Sequence, residues 1–277
     1  MTAFRMEKER TTLTIPTATI AACGAACCTG LVVISNRVRA AEAKRLPATV
    51  FTMTTMNKAL RLFLFSDHLP HQPQDLEERL LEAAGQSPSV AWIPAGSSLE
   101  KLEMFFAARR DAYARLGVVD FEMFTLHEGF NADRVPWLFS RRIIHLSGGD
   151  PYLFLRNLRK TGMLDALLVW AMQGGILVGD SAGAMLMTPS LGIAHFDGKP
   201  VPEDMADSSA LGLVDFEVNP HFGKYGGSAD DLRAYSKQHH RTVYGLVDGG
   251  ALAVLNGQIE TQGQIICFRD GEESILS

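Results

Sequence analysis

The chain has 277 residues, 26 basic against 31 acidic, a formal net charge of −5 and 47% hydrophobic content. That length suits one large α/β domain or two small ones, and the mild acidic balance excludes the basic footprint of a nucleic-acid binder. Its four cysteines, Cys23, Cys27, Cys28 and Cys267, form neither a disulfide framework nor a zinc-type spacing, so a reducing cytoplasm is the default compartment and no metal or cofactor is expected.

In chain order, residues 1–55 read as an N-terminal extension, disordered or not native. From Ile15 to Ser35 no residue is charged, and a basic stretch (Arg5, Lys8, Arg10) precedes that run. A signal peptide or anchor is the competing reading. Thr, Ala, Gly and Cys dominate the run and Pro16 interrupts it, which makes a poor membrane span. Residues 56–277 form the expected α/β domain. The apolar run at 59–65 predicts a first strand, and 75–84 a helix capped by Asp75. A strand at 89–93 and a long amphipathic helix at 99–116 follow. Then come strands at 118–125 and 143–146, helices at 152–160 and 164–173, and an apolar strand running into Gly179. Alternating strands and helices predict a doubly wound, mostly parallel sheet with helices on both faces, whose ligands bind beyond the carboxyl ends of the strands. After Leu213, short strands at 214–218, 243–247, 251–255 and 265–268 are separated by turns at Asp248-Gly249-Gly250, Asn256-Gly257 and Asp270-Gly271. They predict an antiparallel extension of the same sheet.

The chemistry concentrates at Gly179-Asp180-Ser181-Ala182-Gly183, a Gly-x-Ser-x-Gly between a buried strand and a small-residue helix start. This is a nucleophile elbow: a sharp turn that needs small neighbours and presents Ser181 Oγ at the sheet edge. Serine is a weak nucleophile at neutral pH and needs a base. His221, just after a predicted strand and Pro220, is the candidate. A carboxylate should orient it, and Asp197, Glu203, Asp204 and Asp207 are available, with Asp197 preferred. The amides of Ala182 and Gly149 are the expected oxyanion donors.

These pieces resemble peptidase family S51, the serine peptidases that include peptidase E (an aspartyl dipeptidase) and cyanophycinase. The resemblance rests on Ile143-Ile144-His145-Leu146-Ser147-Gly148-Gly149-Asp150, Gly179-Asp180-Ser181-Ala182-Gly183-Ala184, and Leu211-Gly212-Leu213 running to Asn219-Pro220-His221-Phe222. It covers the chain from about Met56 onward. It implies a flavodoxin-like fold similar to class I glutamine amidotransferases, with serine in place of their cysteine, and hydrolysis of small, dipeptide-sized substrates. Ser181 and His221 carry over as nucleophile and base, and the position of the family's acid favours Asp197. Two departures stand out. Asp150 replaces the family's asparagine after Gly-Gly. The stretch 226–233 is acidic where peptidase E would hold a substrate aspartate, with Arg233 displaced, and an acidic pocket would repel an aspartyl side chain. The resemblance implies Gly148, Asp150 and Arg233 as the substrate contacts. The expected partner is a small peptide, with no nucleic acid or membrane for 56–277 and a homodimer allowed. The rival readings are an esterase or amidase and a catalytically drifted binding protein.

Overall fold

The apolar runs of the first half become the centre of a seven-stranded sheet. In the computed structural model, which describes residues 60–67, 75–96, 99–198, 200–225 and 227–276, five strands lie parallel. They are β1 (Arg61–Phe65), β2 (Ser89–Ile93), β3 (Asp120–Met123), β4 (Ile143–Leu146) and β5 (Ile176–Asp180). With β8 (Ala251–Leu255) and β9 (Gln258–Gln262) they run in the order β3-β2-β4-β5-β1-β8-β9. Strands buried on both faces carry apolar residues without alternation, which is why β4 and β5 read as continuous runs. Successive side chains still face opposite ways. Leu62 and Leu64 join one core cluster, and Phe63 and Phe65 the other. The expectation for residues 1–55 lies outside the described residues.

Helices cover both faces. On the Phe63 side lie α1 (Asp75–Ala84), which buries Leu76, Leu80 and Ala84, and α2 (Leu99–Arg115), which buries Leu102 and Tyr113. The Leu62 side carries α3 (Val135–Ser140), α4 (Pro151–Lys160) and α5 (Met163–Met172), through Leu138, Phe154, Leu155, Leu158, Leu167 and Ala171. Pro151 at its first turn and the Asp150 carboxylate, which accepts from Tyr152 N and Leu153 N, start α4. No helix among the described residues is long and apolar enough to cross a membrane.

The C-terminal third departs from the single extended sheet. β8 and β9 do extend the main sheet antiparallel, joined by Asn256-Gly257, both at positive φ as a two-residue hairpin requires. The other strands form a second sheet in the order β11-β10-β7-β6. It comprises β6 (Phe216–Pro220), β7 (Thr242–Leu246), β10 (Ile265–Arg269) and β11 (Glu272–Ile275). β6 and β7 pair parallel, with Pro220 opposite Leu246. A parallel pair needs a crossover, and helix α7 (Ala229–His239) supplies it. A capping box between Ser228 and Asp231 opens that helix. Asp248-Gly249-Gly250 is therefore no hairpin: it carries the chain from β7 in one sheet to β8 in the other.

The elbow fixes how tightly these layers meet. A Cβ on Gly183 would lie 2.2 Å from the Leu146 carbonyl oxygen, and one on Gly179 would lie 2.4 Å from the Gly183 carbonyl carbon. Both obstacles are backbone and cannot rotate away. Gly183→Ala is expected to cost about 2–3 kcal/mol by overpacking. In a domain of this size that lowers Tm by about 4–12 °C, measurable by thermal unfolding.

Candidate active site

Ser181 follows β5 and precedes the one-turn helix α6 (Ala182–Met185). Its backbone sits at φ 48°, ψ −109°, a region that non-glycine residues rarely adopt. The turn is held by Ser181 N, which donates to Phe65 O (2.9 Å), and by Met185 N, which donates to Ser181 O (3.0 Å). The strain aims the side chain out of the sheet edge, toward His221.

His221 follows β6 with φ 54°. Its Nε2 lies 3.1 Å from Ser181 Oγ and its Nδ1 2.6 Å from Asp248 Oδ1. The second Asp248 oxygen accepts from Lys224 Nζ at 2.8 Å. Partial burial pushes the Asp248 carboxyl up, but the hydrogen bonds from Lys224 and His221 outweigh it, and the net shift is downward. Ser66, buried at the end of β1, fixes the histidine from behind. Its Oγ accepts from His221 N (2.7 Å) and donates to Leu246 O (3.0 Å). The parallel register makes this convergence inevitable, because Pro220 and Leu246 are partners and the residues just beyond them are neighbours.

The acid is thus a correction. Asp197 ends the short 3-10 turn Ala194–Asp197, and the carboxylate on His221 Nδ1 is that of Asp248. Asp204 and Asp207 are engaged elsewhere, with Arg156 and Arg159. Asp248 looked like a hairpin turn residue. The signal that could have found it is its place just past a strand, as with Ser181 and His221, together with helical spacing between β6 and β7. Asp67, His221 and Asp248 present ligand atoms within 4.8 Å of one another. Two of these three are already bonded to each other, and Lys224 adds positive charge, which disfavours a metal ion there.

Gly148 and Gly149 lie against the serine. A Cβ on Gly148 would meet Ser181 Cβ at 3.5 Å. Gly149 has φ 139°, and a Cβ there would fall 2.8 Å from Ala95 Cβ. Ser147 pins this loop by accepting from Ala95 N (2.9 Å) and donating to Gly148 O (2.8 Å). Among the described residues neither the Gly149 nor the Ala182 amide has an acceptor, so both can donate to an oxygen placed between them. The two charged substrate contacts expected from sequence do not join them. Asp150 is spent as the cap of α4. Arg233 lies on α7, paired with Asp230 and Glu273.

Ser181, His221, Gly148 and Gly149 open into a cavity of about 500 Å³ that α2 also lines. Behind the nucleophile runs a buried polar chain that the sequence did not reveal. Tyr113 OH lies 2.9 Å from His145 Nδ1, His145 Nε2 lies 2.9 Å from Asp180 Oδ2, and Arg109 reaches the same oxygen at 2.5 Å. Burial pushes the Tyr113 phenol up, so it remains a proton donor. This network ties α2 to the residue before the nucleophile.

A doubly wound sheet with a strained elbow serine bonded to a histidine defines a serine hydrolase of the nucleophile-elbow kind. The model of peptidase family S51 matches residues 62–262, and the chain belongs to that family of serine-type peptidases. Over 154 residues, 54% of this chain and 74% of its relative, it is 29% identical to an uncharacterized peptidase of Pasteurella multocida. It is also 29% identical to a peptidase E of Streptomyces coelicolor, over 72% of this chain and 85% of that protein. A crystal structure of a candidate peptidase E from Listeria monocytogenes EGD-e superposes with TM-score 0.59 at 21% identity. The match covers 73% of this chain and 98% of that one, and shows the shared fold.

The Lys224–Asp248 pair carries a pH signature. A carboxyl held below its ordinary value of 3.8 contributes stability above that value and loses it as the pH falls through the lower folded value. Lys224→Met is expected to be less stable than the parent near pH 6, with the gap closing toward pH 3. Urea unfolding across that range checks it.

Proposed function

We propose that this chain is a serine peptidase of small, dipeptide-sized substrates, working through Ser181, His221 and Asp248. The observation that carries the proposal is His221 bonded on one side to the serine hydroxyl and on the other to a carboxylate that is itself held by a lysine. Ser181 Oγ attacks the scissile carbonyl while His221 Nε2 takes its proton. Asp248 fixes the tautomer by accepting from Nδ1–H and stabilises the imidazolium as it forms. The Gly149 and Ala182 amides donate to the developing oxyanion, the second of them at a helix start where anions are favoured. His221 then returns the proton to the leaving amine. Water, activated by the same histidine, hydrolyses the acyl-enzyme. The cavity volume, about 500 Å³, suits a small peptide rather than a protein segment.

Ser181→Ala is expected to lower kcat/KM on a cleaved dipeptide by about 10⁴-fold or more, and to abolish labelling by a serine-directed fluorophosphonate while the circular dichroism spectrum persists. Asp248→Asn should cost about 10³–10⁴-fold in kcat by favouring the wrong imidazole tautomer. Asp197→Asn should leave turnover unchanged. Full activity in Ser181→Ala, or loss in Asp197→Asn rather than Asp248→Asn, would overturn the assignment.

A further inference from the structure

One stripe of helix α2 lines the cavity. Leu102, Phe105, Ala108, Ala112 and Arg115 recur at intervals of three and four residues, so they share one face. The first four are apolar. Phe105 is 50% exposed although it lines the active-site cavity, to which Trp92 also contributes. A large apolar surface left open there favours a ligand that covers it.

The charges around this wall are ordered. Arg109 also lines the cavity, but its charge is met by Asp180 at 2.5 Å. Arg115, six residues and about 9 Å further along the axis, has no ion-pair partner among the described residues. Near the nucleophile the lining is acidic instead. Asp67 offers a carboxylate oxygen within 4.8 Å of the His221 and Asp248 ligand atoms. An acid beside the serine and an apolar wall suit a short peptide with a free ammonium next to the scissile carbonyl. An aspartyl side chain on the same wall would lose its hydration against carbon and find the nearer guanidinium already paired.

We infer that the cavity is a specificity pocket for short peptides with a free amino terminus and a bulky apolar first side chain. That side chain packs on the Phe105–Ala108 part of the α2 stripe and the ammonium pairs with Asp67. The inference rests on the serine-peptidase proposal and adds its substrate class.

The test is hydrolysis of Leu-Leu, Phe-Leu, Ala-Leu, Asp-Leu and N-acetyl-Leu-Leu by the full chain, with fluorophosphonate labelling of Ser181 run in parallel. Leu-Leu and Phe-Leu should exceed Asp-Leu in kcat/KM by about 10- to 100-fold, the range an apolar pocket can supply. Acetylation should raise KM. Ala108→Trp, which fills the pocket from an exposed helix position, should lower kcat/KM for Phe-Leu about 10-fold more than for Ala-Leu. Equal or better cleavage of Asp-Leu overturns the inference. So does an Ala108→Trp enzyme that still labels but loses both substrates alike. A parent protein that labels at Ser181 yet shows no apolar ranking sinks the substrate class alone. A parent that neither labels nor hydrolyses sinks the peptidase proposal and this inference with it.

Discussion

The contact on which the rest depends is the absence of side chains where β5 turns into α6. Gly179 and Gly183 let two backbones and the Leu146 carbonyl approach to distances that a Cβ would forbid. Only at that distance can Ser181 hold its positive φ and point out of the sheet edge. The local cost of such a backbone, on the order of 1–3 kcal/mol, is offset by the fully buried strands on either side. β4 and β5 are buried at every position, and the helices on both faces bury Phe154, Leu158, Leu80 and Tyr113 against the sheet.

The main sheet was legible because strands covered on both faces must be apolar throughout. β1, β2, β4 and β5 announce themselves in this way, and helix α1 is bounded as expected, from Asp75 to Ala84. The Asn256-Gly257 and Asp270-Gly271 hairpins were legible through turn chemistry. Other elements left no such mark. β11 is exposed at all four positions, so no burial pattern exists to read. α7 is strongly polar, and of the acids in its first turn, read only as an acidic stretch, Asp231 closes a capping box with Ser228 while Asp230 pairs with Arg233. Missing α7 concealed that β6 and β7 are parallel, and with that the neighbour of His221. Ser181 and His221 were found because each ends a recognisable strand beside a distinctive motif. Asp248 ends one too, but within a Gly-rich turn that fits a hairpin equally well. The acid suggested by resemblance, Asp197, sits in a turn of its own.

The chain Tyr113–His145–Asp180–Arg109 was invisible for a different reason. Its members come from α2, β4 and β5 and meet only through packing. Buried polar groups of this kind are tolerated when they satisfy one another. Here they add to the apolar contacts that Leu102, Phe106 and Tyr113 make between this helix and the sheet. The helix that walls the cavity and the residue that precedes the nucleophile are thereby made to move together.

Ser181 belongs to the seven-stranded sheet, whereas His221 and Asp248 belong to the four-stranded one, and Ser66 is the rivet between them. Its hydroxyl holds the His221 amide with one bond and the Leu246 carbonyl with another, while its own amide donates to Gly250 O at 2.9 Å. A reaction that requires atoms from both plates to meet within about 3 Å makes turnover a sensor of how the plates are seated. Slippage at the seam, too slight to disturb either hydrogen-bonded ladder, would silence the enzyme while every strand remained intact.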